Sequence, residues 1–162
     1  MRLGIVRSAL ITLGLTLASA APLFAQTSLS GVVSGRELCE QAVCGSAIFA
    51  AVFAGQIDGR PAVGLALGGI VHESPLPQIE GDCVAVLGGR WSISTLRRTL
   101  AGSVVDEDGP GEGDGTICYK GNLQFEVNLT LNIEQGGSGK AHLRVTLDHG
   151  PFPPTVKGVI LQ

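Results

Sequence analysis

From Leu123 to Glu134 the chain alternates without a break. Leu123, Phe125, Val127, Leu129, Leu131 and Ile133 fall on one side, and Gln124, Glu126, Asn128, Thr130, Asn132 and Glu134 on the other. A period of two sends successive side chains to opposite faces, whereas a helix would scatter the same residues around its axis. The segment therefore predicts a half-buried β-strand. After Gln135-Gly136-Gly137-Ser138-Gly139 the alternation resumes with Ala141, Leu143, Val145 and Leu147, so the two runs predict a hairpin. With its turn centred near Gly137, Glu134 would face Lys140 and Thr130 would face Arg144.

Earlier segments follow the same grammar. Residues 47–57, the turn Asp58-Gly59-Arg60 and residues 61–72 predict a second hairpin. The run from Ala47 to Ala54 is apolar on both faces, with Phe49 and Phe53 on one and Ile48 and Val52 on the other. Water on either face would forfeit apolar burial worth about 25 cal/mol per Å2. Both faces are thus expected to be covered, by a short helix, the barrel interior or a second subunit. Further strands are predicted at 83–87, 91–96, 100–105, 116–120 and Thr155–Leu161. Ser34-Gly35-Arg36-Glu37 has the form of a capping box and Gly45 can end a turn, which predicts one short helix there with Leu38 and Ala42 on one face. The fold class is all-β: a small antiparallel barrel or sandwich, a meander of about eight strands with one short N-terminal helix. The small residues that alternate with Val63, Leu65 and Leu67 permit the curvature a barrel needs, and the barrel is preferred.

The N-terminus predicts export. Arg2 and Arg7 precede an uncharged run rich in Leu, Ile and Ala, and Leu23-Phe24-Ala25 places a small residue before Gln26. Residues 1–25 read as a cleaved signal peptide and residues 26–162 as one exported domain, secreted or periplasmic. The apolar run is short for a membrane span, so no span is expected in the mature chain. The whole chain carries 11 Lys and Arg against 14 Asp and Glu, and cleavage would remove two of the cations. An acidic domain with one Trp and one Tyr offers neither the charge nor the stacking surface that nucleic acid requires.

Cys39, Cys44, Cys83 and Cys118 form an even set in an exported chain, which predicts two disulfides. Three pairings exist; Cys39 with Cys44 and Cys83 with Cys118 are preferred, because the latter two lie in strands that can be neighbours. A bond between Cys39 and Cys44 requires the helix to end near Gln41, since a continuous helix would hold them about 8.6 Å apart.

Candidate chemistry is sparse. His72-Glu73 and Asp148-His149 each place an imidazole beside a carboxylate at a strand end, but neighbours along a strand face opposite ways, so Asp148 is not expected to orient His149. Asp106, Asp108, Glu112 and Asp114 lie in a Gly-rich loop with oxygen ligands for calcium, yet Pro110 and Ile117 fall where an EF-hand needs a ligand and a bidentate Glu, so a solvated loop is preferred. No cofactor motif is found. Two functions stay open: a non-catalytic exported barrel that binds a small apolar ligand or a protein partner, a further copy of itself included, and a small barrel enzyme, an isomerase, cyclase or hydrolase, using His72 or His149.

Overall fold

The computed structural model describes residues 26–104 and 115–162. Among them nine strands follow in order: β1 (Leu29–Cys39), β2 (Ala47–Ile57), β3 (Arg60–His72), β4 (Cys83–Thr95), β5 (Thr99–Ser103), β6 (Gly115–Tyr119), β7 (Gln124–Ile133), β8 (Gly139–Asp148) and β9 (Thr155–Leu161). A single helical turn, α1 (Gln41–Cys44), lies between β1 and β2. Every pairing is antiparallel, and β1 hydrogen-bonds both β2 and β9 while β3 pairs β4, so eight strands close into a barrel with β5 as an extra strand. The barrel is the outcome the alternating sequence favoured over a sandwich.

Closure turns the period-two pattern into an inside and an outside. Val33, Phe53, Ile70, Val86, Val127, Leu129, Val145, Val156 and Ile160 face in and form a continuous apolar core. The first hairpin turns at Asp58 (φ 51°) and Gly59 (φ 70°), the paired left-handed residues of the tight turns that match strand twist. Strand β4 is long and forks: Cys83–Ala85 pair with β6, and Arg90–Ser94 pair with β5. The β5 strand then lies over the end of β7, where Ala101 bridges Gln135. Trp91 Nε1 donates to the carbonyls of Ser103 and Asn132, both at 3.1 Å, and ties this seam. For that reason Thr130 and Asn132, which the alternation places outside, are buried.

Four expectations are corrected. Ser34 to Glu37 belongs to β1 rather than to a helix, because pairing on both edges outweighs a local capping signal worth about 1 kcal/mol. Helix survives only over Gln41–Cys44, closed by Gly45 at φ 76°. The strands expected at 83–87 and 91–96 are one strand, bent by a register shift near His72. In the β7–β8 hairpin Thr130 faces His142 and Asn132 faces Lys140, two residues away from the register expected. Glu134 instead accepts from the backbone and hydroxyl of Ser103 and pairs with Arg90 at 3.3 Å.

The segment expected to be covered on both faces is covered on one. Phe53 is fully buried, but Ile48 and Val52 on the outside of β2 are exposed, and α1 buries no residue against them. Neither the helix nor the barrel interior reaches that face within one chain.

Candidate functional site

One end of the barrel is crowned by α1, by the β3–β4 loop and by the β8–β9 loop. Beneath them is a mouth of about 290 Å3, lined by Glu37, Glu40, Gln41, His72, Leu76 and His149, with Phe49, Ile70, Val127 and Leu147 as its floor. The same four floor residues wall a smaller interior cavity of about 90 Å3 that is almost wholly apolar.

Glu37 occupies an inward position of β1, in phase with Leu29 and Val33, and its backbone N–H donates to the Pro154 carbonyl at 3.0 Å. Its side chain is only 3% exposed. A carboxylate so placed needs a cation, since an unpaired buried charge is prohibitively costly. His149 supplies it: Nε2 lies 3.1 Å from Glu37 Oε2, with the imidazole 20% exposed, and neither atom has another hydrogen-bonding partner among the described residues. The ring is held by its own backbone N–H donating to Leu123 and by Phe125, whose ring centroid is 5.3 Å away. The adjacent Glu37 carboxylate raises the imidazole pKa above 6.5; burial pulls the other way, and the charges of Glu40 and Asp148 add to the rise.

His72 ends β3 on the same mouth and is buried. Its Nδ1 lies 2.7 Å from the Glu73 carbonyl. A carbonyl can only accept, so Nδ1 donates in this contact and fixes the ring's orientation. Gln41 clamps the backbone of this residue, its Oε1 accepting the His72 N–H at 2.8 Å and its Nε2 donating to the His72 carbonyl at 2.9 Å. Gln41 is in turn set between Cys39 and Cys44, which lie at disulfide distance with Cα atoms 6.1 Å apart. Cys83 and Cys118 meet likewise in register across β4 and β6, their Cα atoms 4.0 Å apart. Both expected pairs are therefore brought together, and both lie at the crowned end.

The two histidines singled out in the sequence converge on one mouth, while their neighbouring carboxylates do not join them. Glu73 Oε2 accepts the Ala85 N–H at 3.1 Å, and Asp148 Oδ1 accepts the Gly150 N–H at 2.9 Å. Glu37, the partner His149 does have, carries a helix-capping pattern in the sequence. Its position eight residues after Leu29 and four after Val33 was the signal that could have revealed it. The acidic loop residues Asp106, Asp108, Glu112 and Asp114 lie outside the described residues. Among the described residues no group of three or more His, Cys, Asp or Glu is placed to hold a metal ion. No protein-family model matches the chain, and neither curated proteins nor solved structures give a match.

Proposed function

We propose that the protein is an exported barrel that binds a small, mainly apolar molecule carrying one uncharged polar group. The observation that carries this reading is the junction at the mouth: apolar walls from Phe49, Ile70, Val127 and Leu147 meet Glu37, His72 and His149 at one end. Pockets that take small molecules combine a largely apolar lining with a few convergent polar groups, and span about 300–1,000 Å3. This mouth is at the small end of that range. An anion would face Glu37 and Glu40 together, whereas a hydroxyl or carbonyl can hydrogen-bond without disturbing the Glu37–His149 pair.

Calorimetric titration with medium-chain alcohols, ketones and carboxylates tests the proposal. Alcohols and ketones should bind with a negative heat-capacity change, the mark of apolar burial, and carboxylates of equal length should bind more weakly. Failure of every member of the panel to bind would refute it. Export itself is supported by the signal-like N-terminus and by two cysteine pairs at disulfide distance. Mass spectrometry of secreted or periplasmic material should then find Gln26 as the first residue, and intact Met1 there would oppose it.

A second reading rests on a separate observation. The mouth holds a protonatable imidazole paired with a buried carboxylate and, in His72, a second imidazole whose Nδ1 is engaged by the Glu73 carbonyl. Such a set could move a proton between two atoms of a bound ligand, the chemistry of an isomerase or cyclase. Turnover of a bound alcohol or ketone that is lost in Glu37→Gln while binding persists would favour this reading over pure binding.

A further inference from the structure

The outside of the barrel is not uniform. On β7, β8 and β9 the outward residues include Glu126, Arg144 and Lys157, whereas between Ala47 and Ile57 and between Pro61 and His72 there is no charged residue other than histidine. The register brings the outward apolar residues into one field. Val32 lies beside Ala54 and Val63 across β1, β2 and β3; Val52 lies beside Leu65; and Ala50 lies beside Leu67. Ile48 and Val159 extend the field at two of its edges. Val32, Ile48, Val52, Val63, Leu65 and Leu67 are each between 37% and 65% exposed.

We infer that this face is where a second copy of the chain docks. A standard interface buries about 800 Å2 on each partner, and a homodimer interface is about 65% apolar, which asks for roughly 500 Å2 of apolar surface. Six branched aliphatic side chains about half exposed supply on the order of 500 Å2. The surroundings have the matching anatomy, since Ser30, Ser34, Arg36, Gln56 and Lys157 form a polar rim. The relief is also self-complementary. On β2 the small Ala50 and Ala54 alternate with Ile48 and Val52, while β3 presents the ridge Val63, Leu65 and Leu67. A two-fold axis through the face sets the ridge of each copy against the gaps of the other, as an isologous contact requires. The charged outward residues of β7 to β9 argue against the alternative of a barrel sunk in lipid, whose apolar band must run around the circumference.

Sedimentation equilibrium of the purified protein from micromolar to near-millimolar concentration tests the inference. The expected result is a mass of at least two chains, with Leu65→Asp weakening self-association at least tenfold while near-ultraviolet circular dichroism remains that of the parent. If Leu65→Asp does not fold, Val52→Thr, which keeps the shape and strand preference of valine, is read in its place. A parent that stays monomeric throughout overturns the inference, as does an assembly that the folded variant leaves unweakened. A monomeric parent that floats with phosphatidylglycerol vesicles overturns it as well, and assigns the face to a lipid surface.

Discussion

Glu37 in the first strand and His149 just past the eighth meet at 3.1 Å under the crown of the barrel, so one ion pair spans most of the chain's length. The contact exists because β1 and β9 are neighbours: Glu37 is bonded through its backbone to Pro154, immediately before β9, and His149 leads into the loop that Pro154 ends. Sequence adjacency has no part in it.

That pair makes stability depend on pH. The folded pKa of His149 is raised above 6.5 by Glu37, so the native state favours the imidazolium. Its contribution is fully present below about pH 6.5, the unfolded value, and is lost as pH rises through the higher folded value. Thermal melts between about pH 6 and pH 8.5 should therefore fall with rising pH more steeply for the parent than for His149→Gln. Parallel slopes for the two proteins would show that the pair is not formed in solution.

Removing one partner should cost more than replacing both. His149→Ala leaves the buried Glu37 charge unmatched, and a loss of about 3 kcal/mol in denaturant melts is expected. Adding Glu37→Gln should recover at least about 1 kcal/mol of it, because an amide carries no charge to bury. Additive losses in the double variant would contradict a direct interaction.

The two cysteine pairs should differ in consequence. Cys83 and Cys118 are 35 residues apart and Cys39 and Cys44 only 5, so loop-closure entropy assigns about 4 kcal/mol to the longer loop and about 2 kcal/mol to the shorter. Changing Cys39 and Cys44 to Ala should thus lower the melting temperature less than the same change at Cys83 and Cys118. Its larger effect is expected on ligand affinity, because Gln41 between the two cysteines holds the His72 backbone. Equal affinity in the two variants would detach α1 from the site.

Phe53→Ala empties a fully buried inward position and should cost about 3–5 kcal/mol. Trp91→Phe keeps most of the apolar volume but abandons the donor shared by Ser103 and Asn132, and a loss of about 1–2 kcal/mol is expected, with faster amide exchange in β5. Unchanged exchange at Leu100 and Ala101 would mean that the indole does not hold the seam.

Much of the fold was legible before the structure. The inward residues of β7 and β8 stand at alternate positions, and the Asp58-Gly59 turn is readable from residue type, whereas spacing leaves three cysteine pairings open and only the structure brings the preferred one together. The first strand was not, because Gly31 and Gly35 interrupt its apolar inward row and Glu37 ends it with a charge. Ser34 to Glu37 carries the local pattern of a helix start instead. Asn132 misled in the opposite sense: alternation puts it in water, and only β5 lying over β7 takes it out.

Residue order by itself determined that this chain makes antiparallel strands with one apolar face, and which side chains each strand sends to that face, because side-chain period and turn preference are local properties. Tertiary closure decided everything that depends on strands far apart in the chain: that β1 joins β9, that Glu37 finds His149, and that His72 shares their mouth. It also left Ile48 and Val52 outside, on a face that no element among the described residues covers. The physical reason is that a barrel has a single interior. Once the inward row of every strand has filled it, an apolar residue on the other row can be buried only by something beyond the barrel wall.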